Sequence, residues 1–94
     1  MRWESMQQVR EANEATGQHW FSPSTIRWFR SRIGRTLYGG RYFISSEQPP
    51  RGERMWSVRE AMPDGTIETC LAFQEFPTRE AAIRAAKSLV GGEE

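Results

Sequence analysis

The sequence predicts an α+β domain of element order α-α-β-β-β-α: two N-terminal helices, a three-stranded antiparallel sheet and a C-terminal helix packed on that sheet. Three observations predict it. Residues 22–33 and 78–90 carry apolar side chains at helical spacing behind a Ser or Thr cap. Residues 41–73 hold three β-favouring stretches divided by turn formers. Met62-Pro63-Asp64-Gly65 divides two of those stretches tightly enough for a hairpin, with proline presetting φ and glycine supplying the left-handed position. Ninety-four residues make one domain, 1–94, with Glu93-Glu94 expected to fray.

The first helix is read over residues 3–16, where Trp3, Met6, Val9 or Arg10, and Asn13 recur at helical spacing and Gly17 supplies the stop. Gln18-His19-Trp20-Phe21 connects it to the next, with the aromatics expected in the core or stapled onto the following helix. Ser22 caps the second helix and Pro23 fits its first turn. That helix is expected to run to Ile33, burying Ile26, Phe29 and Ile33. Trp28, Arg32 and Arg35 then fall on the opposite side, beside Arg27.

Gly39-Gly40 marks a turn into a first strand, 41–46. Pro49-Pro50 falls in a loop, because paired prolines cannot sit inside a central strand. A second strand is read over 55–60 and a third over 66–73, the latter with Ile67, Thr69, Leu71 and Phe73 on one face. Thr78 caps the last helix, whose stripe of Ala82, Ile83, Ala86, Leu89 and Val90 has side chains small enough to lie close on a sheet; Gly91-Gly92 ends it. The helices are expected on one face of the sheet, leaving the other to arginines and exposed aromatics.

Composition excludes several function classes. The single cysteine, Cys70, rules out an intrachain disulfide framework and fits a reducing compartment. With one Cys and one His, Cys70 and His19, there is no clustered metal-ligand set and no nucleophile–base arrangement with a third, orienting group. No phosphate-cradling glycine motif occurs. No catalytic activity, metal or cofactor is therefore expected. The chain has no long apolar run and its first residues lack an apolar signal core, so a cytoplasmic location is expected.

The net charge of +1 conceals an asymmetry. Residues 26–59 hold eight arginines against two acids, whereas residues 60–94 hold seven acids against three bases. Arginine presents a planar fork suited to phosphate and stacks on aromatic faces. Arg27, Arg30, Arg32, Arg35, Arg41, Arg54 and Arg59 interleave with Trp28, Tyr38, Tyr42 and Trp56, a pattern that suits phosphate contact and base stacking. A solvated face on a core helix explains the same charges. Residues 22–27 look like the opening of a recognition helix, though the preceding turn is too long and too aromatic for a helix-turn-helix. The three strands and last helix look like the sheet of phage-integrase arm-type domains, in which Arg41, Arg54, Arg59 and Trp56 would reach DNA.

Most of the chain resembles an uncharacterised family of small proteins encoded by phages and other mobile elements. The likeness runs through Ala12-Asn13, residues 17–23, 25–33 and 42–47, then Ser57-Val58-Arg59, residues 64–69 and 73–76. It carries no transferable activity and implies a bacterial host cytoplasm and an accessory role. Because both residues belong to the likeness, Arg32 is also a candidate structural partner of Glu47. The resulting expectation is a recognition protein whose site comprises Arg27, Trp28, Arg32, Arg35, Arg41, Arg54 and Arg59. Its partner is expected to be DNA or RNA, or alternatively a host or phage protein anchored on Trp28, tryptophan and arginine being enriched at interface hot spots.

Overall fold

A computed structural model describes residues 2–71 and 73–92. The chain is α+β, in the order α1 (Met6–Thr16), α2 (Pro23–Trp28), β1 (Arg32–Ile33), β2 (Tyr42–Glu47), β3 (Met55–Ala61), β4 (Ile67–Cys70) and α3 (Arg79–Gly92). The strands form one antiparallel sheet ordered β1-β2-β3-β4, each paired with its sequence neighbour. The sheet thus has four strands rather than the expected three.

Local signals set most boundaries. Ser5, not Trp3, opens α1: its hydroxyl accepts from Gln8 N at 3.1 Å, while the Gln8 side chain reaches back to Glu4 N at 2.9 Å. Gly17 closes α1 in the left-handed conformation. Ser22 caps α2 through Thr25 N, and Thr78 caps α3 through Ala81 N. The Pro-Asp-Gly turn closes the β3–β4 hairpin with Met62 N donating to Thr66 O at 2.8 Å. Asp64 accepts from both the backbone and the hydroxyl of Thr66.

Besides the later start of α1, and α3 continuing through Gly91-Gly92 where a stop was expected, two elements depart from the sequence reading. Helix α2 stops at Trp28 instead of continuing to Ile33. Arg30 takes a left-handed φ of 51°, its N–H bonds Arg27 O, and Ser31 N reaches back to Ile26 O at 2.9 Å. This pair of bonds is a Schellman ending with arginine where glycine is usual. The chain then turns, and Arg32-Ile33 joins the sheet edge opposite Ser46 and Ser45. Strand β4 ends at Cys70 rather than Phe73, because Leu71 is left-handed at φ 60°. Ala72 in the expected third strand, and the expected fraying of Glu93-Glu94, lie outside the described residues.

Neither face of the sheet is left open. On one face Phe43, Ala61 and Ile67 pack with Trp3, Met6 and Val9, and Trp20, Phe21, Ile33 and Leu37 lean on this cluster. Trp20 and Phe21 meet Phe43 at centroid distances of 5.6 and 6.0 Å, so they serve the core rather than stapling α2. On the other face Tyr42, Ile44 and Val58 receive Ala82 and Ala86 of α3. The alanines allow that close approach, as their size predicts. The expectation of helices on one face and arginines on the other is therefore corrected: α1 and its following loop cover one side and α3 the other.

Asn13 locks the two ends of the first layer together. It is buried; its amide N donates to Gly65 O at 3.0 Å and to Gln18 Oε1, and its amide O accepts from Trp20 N at 3.0 Å. Gly65 lies so near α1 that a Cβ there would sit 2.8 Å from Ala12 O. Asn13→Ala leaves buried backbone groups unpaired and is expected to lower stability by about 2–3 kcal/mol in urea unfolding. A loss below about 0.5 kcal/mol would mean that the clip is dispensable.

Candidate functional site

Strand β1 decides where the arginines go. Successive residues of a strand face opposite sides. Ile33, paired with Ser45, belongs to the α1 side; Arg32, paired with Ser46, belongs to the α3 side. There Arg32 and Arg35 meet Arg54, which precedes β3, and Arg79, the first residue of α3. The four line a groove of about 250 Å³ whose apolar wall is supplied by Tyr38, Ile44 and Trp56. Among the described residues no carboxylate lines it.

Arg54 is the braced member of the group. Its Nη1 donates to Arg30 O at 3.0 Å, to Ser46 O at 3.2 Å and to Ser46 Oγ at 2.9 Å. The guanidinium is held below its ordinary value, first by partial desolvation and then by the nearby Arg32 charge; Glu47 opposes this and Arg30 adds to it. Cations gathered in this way repel one another and favour any anion that enters.

The other expected site residues are placed elsewhere. Arg27 and Trp28 stand on α2, outside the groove lining, and Trp28 is 82% exposed. Its indole faces solvent as its position opposite Ile26 predicts, but the expected burial of Phe29 on the Ile26 side is corrected: with α2 ending at Trp28, Phe29 is 49% exposed. Arg41 is bound to Glu60 at 2.5 Å and lies against the Tyr42 ring. Arg59 is sealed at 6% exposure, so the arm-type reading, in which it reaches outward from an open sheet face, does not fit this architecture. Arg79 was missed because only the docking of α3 brings it beside β1 and β3.

Each of the three Arg59 guanidinium nitrogens donates once inside the chain. Nε donates to Ser45 Oγ at 2.9 Å, Nη1 to Thr69 Oγ1, and Nη2 to Glu47 Oε1 at 3.2 Å. Trp20 and Phe73 stack on it at 5.3 and 5.0 Å. Burial lowers its affinity for the proton and the Glu47 carboxylate works against that. The expected partnership of Arg32 with Glu47 is thus corrected to Arg59 with Glu47. Residues 43, 45 and 47 share a face with 57 and 59, whereas Arg32 projects from the other one.

Other reactive groups are quiet. Burial, and after it the Glu60 carboxylate, push the Cys70 thiol up to about 11, and its Sγ lies 3.6 Å from Glu60 Oε1. A neutral thiol is a poor nucleophile. Among the described residues no group of three or more His, Cys, Asp or Glu could hold a metal ion, and no helix is long and apolar enough to cross a membrane.

With the fold and groove defined, comparison with protein families matches residues 5–87 to DUF7447, a family of unknown function. The chain belongs to that family. The matched span contains all four groove arginines and the buried Arg59–Glu47 pair. No curated protein and no solved structure matches the chain.

Two predictions follow from these placements. Arg59→Met strands the Glu47 charge and should cost about 3–5 kcal/mol in urea unfolding, whereas Arg59→Met with Glu47→Leu should cost less than Arg59→Met alone. A double variant less stable than that single would mean that ring packing, not charge pairing, governs the site. For Cys70, the folded thiol binds its proton more tightly than the ordinary value of 9.0 allows, so between pH 9 and about 11 stability falls as pH rises. Alkylation of the native protein by iodoacetamide should accelerate with a midpoint near 11, against 9 in urea; a native midpoint at or below 9 would contradict the burial argument.

Proposed function

We propose that this protein is a non-catalytic nucleic-acid-binding module that holds the phosphate backbone in the groove of Arg32, Arg35, Arg54 and Arg79. The observation that carries the reading is the convergence of four guanidinium groups on a groove with no acid among the described residues of its lining. Arginine forks suit phosphate oxygens. Tyr38 and Trp56 add aromatic surface beside them, which suits single strands whose bases are free to stack. The N-terminus of α3, at Arg79, also favours negative charge. The likeness to small proteins of phages and mobile elements supports an accessory role in a bacterial cytoplasm.

A second reading has its own observation. Trp28 and Phe29 are adjacent, large and exposed, as an anchor for a host or phage protein would be. In that case Trp28→Ala should abolish capture of the partner while leaving oligonucleotide binding intact.

The test of the first reading is fluorescence anisotropy with single-stranded and duplex oligonucleotides across a salt series. Binding should weaken steeply with salt, and Arg32→Ala combined with Arg79→Ala should lower the log–log slope by about 2 without changing the melting temperature, since both side chains are exposed. No binding at low salt, or an unchanged slope in the double variant, would remove the groove from consideration.

A further inference from the structure

Behind β1, on the α1 side of the sheet, lies a second cavity of about 190 Å³. Trp20, Phe29 and Phe73 bring aromatic rings to it, and Ile26 and Ile33 bring branched aliphatic side chains. Phe29 and Phe73 are half exposed, so they form its mouth. Its least exposed lining residues, Arg59 and Glu47, form its floor.

The floor has unequal polar groups. Each guanidinium nitrogen of Arg59 has a partner, in Ser45, Thr69 or Glu47. Glu47 is 3% exposed, and only its Oε1 is engaged; Oε2 is buried and accepts no hydrogen bond from any described residue. A buried carboxylate oxygen without a donor is costly, and a donor arriving with a ligand removes that cost. The Arg59 charge already balances the carboxylate, so a cation gains little there and would bear its own desolvation. A neutral N–H gains the hydrogen bond without that penalty. Three rings at the walls favour a flat, polarisable body over a flexible aliphatic one.

We propose that this cavity binds a neutral heteroaromatic ring, edge first, with a ring-borne N–H donated to Glu47 Oε2. The amino-bearing edge of a nucleobase has this chemistry, whether as a free nucleoside or within a strand. The proposal does not rest on the arginine groove: Ile33 lines both, but none of Arg32, Arg35, Arg54 and Arg79 lines this cavity.

Because Glu47 holds Arg59, its replacement puts the fold at risk, and the test alters the ligand instead. Cytidine titrated into the ¹⁵N-labelled full chain should move the Trp20 indole and the Phe29 and Ile33 amide resonances saturably. N4,N4-dimethylcytidine, with the same ring and no N4–H, should bind at least tenfold more weakly. Phe29→Ala should weaken cytidine at least fivefold with the melting temperature retained, Phe29 being half exposed at the mouth. If a single-stranded oligo(dC) moves these resonances and cytidine does not, the ring enters as part of a strand. The cytidine or oligo(dC) shifts at this cavity should persist in the Arg32→Ala, Arg79→Ala variant at low salt or high ligand concentration, so failure of the groove leaves this site standing. Equal affinity for the dimethyl compound, or no movement with cytidine, adenosine, guanosine or the oligonucleotide, would overturn the proposal.

Discussion

A guanidinium closed off from water needs a full set of acceptors, and Arg59 draws its set from both neighbouring strands. Ser45 and Glu47 come from β2 and Thr69 from β4, while rings from the α1–α2 loop and from the turn after β4 close over the charge. A one-residue slip of register would send Glu47 or Thr69 to the opposite face and leave the charge stranded. The pair therefore adds specificity to a sheet whose stability comes from burial of Phe43, Val9 and Val58.

That arrangement separates two kinds of arginine. Those at the sheet centre and at its turn, Arg59 and Arg41, are paired to Glu47 and Glu60. Those around the β1 edge gather where no acid among the described residues lines the groove. The excess positive charge of residues 26–59 thus becomes a local field rather than a general property of the chain, and a local field is what attracts a polyanion. The short edge strand carries the division, with an arginine on one side and an isoleucine on the other.

Elements with chemically specific punctuation were legible in advance. Ser22-Pro23, Gly17, Thr78 and Pro63-Asp64-Gly65 each act through a backbone bond or a dihedral preference within a few residues, and each does so here. The end of α2 was not legible. Arg30 holds a left-handed φ without the glycine that would announce it, and Ile26, Phe29 and Ile33 fit a helical face as well as they fit a helix followed by a strand. In the same way nothing local in Leu71 signals the early end of β4.

The sequence by itself determined the class of the fold, most of the helix and strand limits, the outward position of Trp28 and the arginine supply of the middle segment, because caps, turns and charge are written in neighbouring residues. Only the tertiary structure decided which arginines are sealed and which are offered. Strand register assigned Arg59 to Glu47 and turned Arg32 away, and the docking of α3 brought Arg79 to Arg32, Arg35 and Arg54. Those outcomes depend on contacts between residues more than ten positions apart, which no local preference encodes.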